Sequence, residues 1–260
     1  MMEIPRLVSD KAYSLYENDL EKHVREGEMP KHIAIIMDGN RRYAVEVLDA
    51  EPNEGHRLGK EKLNEVVHWC LNLNIKCLTL YAFSVENFNR EKSEVDHIMD
   101  LLEQSLYELA DDKEVHKYRM GFKVIGDMSL LPENIIKAKE YAEERTKDYH
   151  DFMMTMAIAY GGRQDITNAV RRISERVRDG ELDIDDIDED LVSSYISTSD
   201  VPDPDLILRT SGEIRVSNFL LWQMAYSEFY FTDVYWPGFR YIDLLRAIRT
   251  YQQRKRRFGK

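Results

Sequence analysis

The stretch IAIIMDGNRRYA, residues 33–44, decides how the rest of the chain is read. A short apolar run rich in isoleucine stops at Met37, and Asp38, Gly39, Asn40, Arg41 and Arg42 follow with no spacer. Such a run reads as a buried strand. The polar cluster at its end admits two readings. Asp-Gly-Asn is good turn chemistry after a strand. The same carboxylate, glycine, amide and guanidiniums also suit an anion site with a metal beside it.

Working outward, the chain alternates. A polar helix is predicted near residues 9–25, then a strand at 32–37, a long loop over 38–55 and a helix from Arg57 to Leu73. Further strands are read at 77–83, 121–126, 151–160, 205–209 and 228–233. Helices are read at 93–110, 132–145, 161–177, 218–226 and 241–255. Strands alternating with long helices predict an α/β fold, with a mostly parallel central sheet flanked by helices. No Pro/Gly/Ser linker divides the chain, so residues 1–260 are read as one domain. Residues 1–30 form a helical extension of it, and 256–260 a basic tail.

The charge is −12, from 36 basic and 48 acidic residues, which opposes nonspecific nucleic-acid binding. GELDIDDIDEDL (180–191) reads as a solvated acidic surface. Cys70 and Cys77 lack metal-ligand spacing and read as small core residues. No apolar run approaches the roughly 20 residues that span a bilayer. The N-terminus lacks a signal-peptide order. A soluble, cytoplasmic protein is expected.

In sheets of this kind, ligands gather beyond the carboxyl ends of the strands. The polar clusters obey that rule. Asp38-Gly39-Asn40 follows one strand, Ser84 to Arg90 the next, Gly161-Gly162-Arg163 another, and Arg209 to Glu213 a fourth. Arginines there pair bidentately with phosphate oxygens. No Walker, dinucleotide or Gly-x-Ser-x-Gly pattern occurs, which disfavours the commonest nucleotide and hydrolase sites.

Five segments occur in order: HIAIIMDGNRRYA, GHRLG, LTLYAFSVENFNR, YGGRQDI and LILRTSGEIRVSNFLLWQMAYSEFYFTDVYWP. They resemble the successive signatures of the cis-prenyltransferases, the family of undecaprenyl and dehydrodolichyl diphosphate synthases. The resemblance implies condensation of isopentenyl diphosphate with an allylic prenyl diphosphate, Mg²⁺ dependence and an apolar product tunnel. It places Asp38, Asn40 and Asn87 at catalytic positions, with Asp38 on the metal and Asn87 where the proton is taken. Gly39, Arg41, Arg42 and Tyr43 join Asn40 around the allylic diphosphate, with His56 nearby. Ser84, Glu86, Phe88 and Arg90 match a second substrate-binding segment. Arg209, Arg215 and Ser217 match the isopentenyl diphosphate site, and Glu228 a second metal ligand. Arg257 and Gly259 match a tail that crosses a dimer interface, implying a homodimer. Peripheral membrane contact through a lipid product is also implied.

Val95, Ile98, Met99, Leu102, Leu106 and Val124 are the candidate tunnel residues. An amide is a poor base, so a diphosphate oxygen is an alternative proton acceptor to Asn87. Two positions depart from the family pattern. Pro52 stands where an arginine is usual, in a loop one residue longer, and Ala159 replaces an asparagine. Both are expected near substrate. They keep open a diverted prenyl coupling with another acceptor or a non-head-to-tail product. A non-catalytic subunit of a heteromeric prenyltransferase is the reading from a different class.

Overall fold

A computed structural model describes residues 6–254, with side chains from Ser14 onward. Its centre is a six-stranded, all-parallel sheet in the order β3-β4-β2-β1-β5-β6. The strands are β1 (His32–Ile36), β2 (Cys77–Ser84), β3 (Met120–Ile125), β4 (Phe152–Tyr160), β5 (Leu206–Arg209) and β6 (Glu228–Phe231). Every residue of β1 is buried. A strand covered on both faces must be apolar throughout, which is why IAII carries no alternation.

The helices are α1 (Arg6–Glu26), α2 (Asn40–Arg42), α3 (Pro52–Asn72), α4 (Lys92–Ala110), α5 (Lys113–Lys117), α6 (Glu133–Thr146), α7 (Gly162–Arg178), α8 (Glu189–Tyr195) and α9 (Tyr241–Gln253). α1 packs on α9, while α3, α4 and α6 succeed one another in contact. The acidic run 180–191 is almost wholly exposed, and both cysteines are buried thiols.

Two elements differ from the sequence reading. The expected loop 38–55 is largely helical. α2 continues into a π-helical turn, Tyr43–Val47, closed by the Leu48 N–H on the Tyr43 carbonyl at 3.2 Å. A wide turn accommodates one extra residue, consistent with the longer loop noted above. Pro52 opens α3 instead of breaking it, because a proline in the first helical turn removes only an N–H that has no intrahelical partner. The expected helix 218–226 is instead a series of turns ending in a 3₁₀ turn, Gln223–Tyr226. Ser217, Asn218 and Leu220 have φ of 47°, 63° and 42°, which no right-handed helix tolerates.

GHRLG owes its glycines to packing. A Cβ on Gly55 would lie 2.0 Å from the Asn40 carbonyl oxygen, and one on Gly59 would lie 2.6 Å from Asn40 Oδ1. α3 can therefore press its backbone onto α2 and set His56 beside the end of β1.

Candidate active site

A cavity of about 660 Å³ opens beyond the carboxyl ends of β1, β2 and β5. Its polar end is built around Asp38. Arg209 NH2 donates to Asp38 Oδ2 at 2.8 Å, and Arg42 NH2 to Oδ1 at 3.3 Å. The Asp38 backbone is fixed by Thr210, whose hydroxyl accepts from its N–H at 2.9 Å and donates to its carbonyl at 2.7 Å. Burial alone would raise the Asp38 pKa. The hydrogen bond and charge of Arg209, helped by Ser211 and Arg42, outweigh it and hold the carboxyl below its ordinary range.

Arg209 is only 4% exposed. It also donates to Ser217 Oγ at 2.8 Å and to the Arg215 carbonyl, but its Nε is buried without a partner. Arg42 reaches Ser211 Oγ at 2.7 Å and Glu213 Oε1 at 3.4 Å, and lies over the Tyr235 ring. Arg215 is held by Glu213. The guanidiniums of Arg42, Arg209 and Arg215 are thus each held by a carboxylate, from Asp38 or Glu213.

A second cationic group converges on Glu94 of α4, a carboxylate only 8% exposed. It takes His56 Nε2 and Arg90 NH1 at 3.1 Å each, and Arg41 NH1 at 3.5 Å. Burial lowers the His56 pKa, and Glu94 opposes that only partly. Glu94 was not among the sequence candidates. Its signal was available, because Arg90 and Glu94 are four apart where α4 begins. Ser211 and Glu213 belonged to the polar cluster read after the fourth strand but had no role assigned there, and Tyr235 was missed, since only the fold brings the three to Arg42.

Asp38, Gly39, Asn40, Arg41, Arg42, His56, Ser84, Asn87, Arg90, Arg209, Arg215 and Ser217 all line this cavity, as does Pro52. Asn87 Oδ1 accepts the Ser84 N–H at 3.0 Å, so the amide also caps the turn after β2. Tyr43, Glu86 and Phe88 are not in the wall. Tyr43 packs by Gly238, Glu86 accepts from Asn218 at 3.1 Å, and Phe88 packs edge-on against Phe83.

Glu228 does not join Asp38. It begins β6 level with Leu206, while Arg209 at the other end of β5 carries the site. Three residues of strand separate those levels, about 10 Å. Glu228 instead accepts from Arg254 at 2.7 Å. Arg257 and Gly259 lie outside the described residues. Ala159 is buried in the core, away from the cavity, with φ of 50°. The asparagine usual there suits that left-handed backbone, so this departure concerns conformation and not substrate.

From the polar end the cavity runs between α3 and α4, past Leu63, Ile98, Leu101, Leu102 and Ser105. Of the expected tunnel residues, Ile98 and Leu102 line it. Val95, Met99, Leu106 and Val124 pack in or against the core instead. An arginine-rich anion site opening into an apolar passage defines an α/β enzyme that acts on an apolar chain bearing a phosphate or diphosphate.

The comparisons give that class its family. Residues 36–259 match the family model described as "Putative undecaprenyl diphosphate synthase". The chain belongs to this family, the cis-prenyltransferases. It is a prenyltransferase that condenses isopentenyl diphosphate with an allylic prenyl diphosphate. It is 53% identical to a tritrans,polycis-undecaprenyl-diphosphate synthase (geranylgeranyl-diphosphate specific) of Methanocaldococcus jannaschii, over 95% of this chain and 88% of that protein. A like-named protein of Pyrococcus abyssi is 49% identical, over 100% of this chain and 98% of its own. Among solved structures, lavandulyl diphosphate synthase from Lavandula x intermedia, in complex with dimethylallyl diphosphate, aligns with a TM-score of 0.84 at 39% identity. That match covers 89% of this chain and 99% of the other.

Proposed function

We propose that this chain elongates geranylgeranyl diphosphate with successive isopentenyl units to a long cis-polyprenyl diphosphate. The observation that carries the reading is the cavity whose Asp38–Arg42–Arg209 end opens into an apolar passage between α3 and α4. The names of the Methanocaldococcus and Pyrococcus relatives supply the donor.

Arg41, Arg42, Arg90 and His56 hold the allylic diphosphate, and Arg209, Arg215 and Ser217 the isopentenyl diphosphate. As the allylic C–O bond breaks, negative charge grows on the departing diphosphate, and fixed guanidiniums stabilise it without reorganising. The isopentenyl double bond then attacks the allylic carbon and a proton leaves. Asn87 is engaged as a cap, so it positions substrate while a diphosphate oxygen takes the proton.

Asp38 fits a Mg²⁺ ligand. It is ionised, faces the arginines, and no cluster of three or more metal-ligating side chains surrounds it among the described residues. That donor set suits Mg²⁺, which takes one or two carboxylates and completes its shell with phosphate oxygens and water. When bound, the ion would neutralise charge on the leaving diphosphate.

The same reading makes the chain a homodimer, with Arg257 and Gly259 of each tail completing the partner's isopentenyl diphosphate site. Peripheral contact with a membrane follows from the lipid product, and no helix among the described residues is long and apolar enough to span one.

A second reading, an irregular coupling, draws on the likeness to lavandulyl diphosphate synthase. Incubating the purified chain with labelled isopentenyl diphosphate, Mg²⁺ and geranylgeranyl, farnesyl or dimethylallyl diphosphate separates the two. Long cis products from geranylgeranyl diphosphate are expected. A single branched condensation product would favour the second reading.

A further inference from the structure

The apolar passage has an unusual wall residue. Lys60 of α3 lies among Leu63, Leu101 and Leu102, in the stretch otherwise suited to a prenyl chain. Its side chain is only 14% exposed. The ammonium is drawn outward to α4, where it donates to Glu108 Oε1 at 2.7 Å and to Gln104 Oε1 at 3.2 Å. Glu108 is half exposed and outside the wall. Lys60 therefore spans the seam between α3 and α4, its stem against the passage and its charge at the surface. Ser105, one residue past Gln104, turns its hydroxyl back to the Leu101 carbonyl at 2.8 Å, leaving a small apolar surface toward the cavity.

A cavity of about 660 Å³ falls in the usual range for drug-sized ligands. Two diphosphates and a twenty-carbon donor already make heavy use of it, so further isoprene units must find room elsewhere. The α3–α4 seam, as far as the Lys60 clasp, is the side along which they can run, whereas the sheet side is close-packed core.

We propose that the Lys60–Glu108–Gln104 clasp sets product length: the growing chain advances along the α3–α4 seam until its tip meets the ion pair. An apolar tip gains nothing by stripping water from an ammonium and a carboxylate, so elongation slows there. Replacing the clasp by apolar side chains extends the passage. The inference rests on the elongation reading above.

The test incubates the full chain and its variants with geranylgeranyl diphosphate and excess labelled isopentenyl diphosphate in detergent, then sizes the products. Lys60→Met is expected to lengthen the mean product by about one isoprene unit or more, since added CH₂ groups then meet apolar surface. Glu108→Leu shifts length in the same direction but less, because Gln104 still holds the ammonium. Its KM for both diphosphates stays within about two-fold of the parent. Lys60→Arg retains the clasp and the parental length. Should Lys60→Met fail to fold, Glu108→Leu with Gln104→Leu, both on the exposed side of α4, carries the same expectation. Unchanged lengths in folded variants overturn the inference while leaving the elongation reading intact. A raised KM for the donor with unchanged length would make Lys60 a diphosphate ligand and also overturn it. Failure of the parent chain to elongate would remove the functional reading, and the inference with it.

Discussion

Arg209, nearly inaccessible at the end of β5, donates to Asp38 at the end of β1 across 2.8 Å. Residues 171 apart in sequence become one electrostatic unit because their strands are neighbours. The pairing keeps Asp38 ionised, and it keeps a guanidinium buried at an anion site.

Asp38→Asn is therefore expected to reduce turnover by about 10²–10³-fold, because a neutral amide holds poorly the Mg²⁺ that would neutralise charge on the leaving diphosphate. Asp38→Ala should also destabilise, by about 3 kcal/mol, because it leaves Arg209 buried without a counter-charge. Single-turnover rates at saturating Mg²⁺ and urea unfolding separate the two effects. Near-normal turnover of Asp38→Asn would remove Asp38 from the mechanism.

Arg215 and Arg90 sit in different clusters, around Arg209 and Glu94 respectively. Arg215→Ala should raise the KM for isopentenyl diphosphate by about 10-fold or more, and Arg90→Ala that for the allylic donor, each reflecting a lost charge-assisted bond of about 1.5–3 kcal/mol. Steady-state kinetics with each substrate varied in turn decide it. Equal effects on both substrates would mean that the clusters are not separate diphosphate sites.

Glu94 holds His56, Arg90 and Arg41 together. Glu94→Gln keeps the shape and removes the charge. It should weaken donor binding by about 10-fold as the cations lose their arrangement, with little change in KM for isopentenyl diphosphate. Calorimetric titration of the donor measures this, and tighter donor binding would contradict it.

His32 is buried at the start of β1. The Pro202 carbonyl can only accept, so Nδ1 carries the proton at 2.6 Å from it, and Nε2 takes the Thr79 hydroxyl at 2.8 Å. Burial pushes the ring down to about 4 from 6.5. Above pH 6.5 both folded and unfolded chains hold it neutral. Between 6.5 and about 4 only the unfolded chain takes up the proton, so stability is lost on acidification, by on the order of 3 kcal/mol. Urea midpoints across that range should show the loss, and His32→Gln should flatten it.

Ala159 has φ of 50° within β4, where the register against β2 shifts. Ala159→Gly should stay within about 1 kcal/mol, exchanging relief of strain for lost chain restriction. Ala159→Val should cost about 2 kcal/mol or more, because a β-branched residue is an outlier there. Thermal melts that rank Val at or above Gly would refute this account of the position.

Much of this was legible in the chain. IAII announced a strand covered on both faces, and each polar cluster after a strand pointed to the sheet's carboxyl edge. The misreadings have local causes. Pro52, Asn53 and Gly55 carry loop composition, yet proline is harmless in a first helical turn, and Gly55 is there for the Asn40 backbone. Residues 218–226 have helix-forming side chains, and only the positive φ values around them forbid the helix. Glu228 stands in a familiar motif, but its strand enters the sheet from the end opposite the site.

By itself, the sequence determined the alternation of elements and the chemical types at each strand end, because burial period and turn chemistry act over a few residues. It also determined that phosphate was the ligand to expect, since arginines beside glycines suit few others. Tertiary structure alone decided that Glu94 gathers two guanidiniums and the His56 imidazole, that Ser211 and Tyr235 support Arg42, and that Lys60 ties α3 to α4. Those relations depend on which strands are neighbours and how two helices lean together. Contacts between residues far apart in sequence leave no local pattern to read, and they exist only once the sheet order has brought the side chains within a few ångströms of each other.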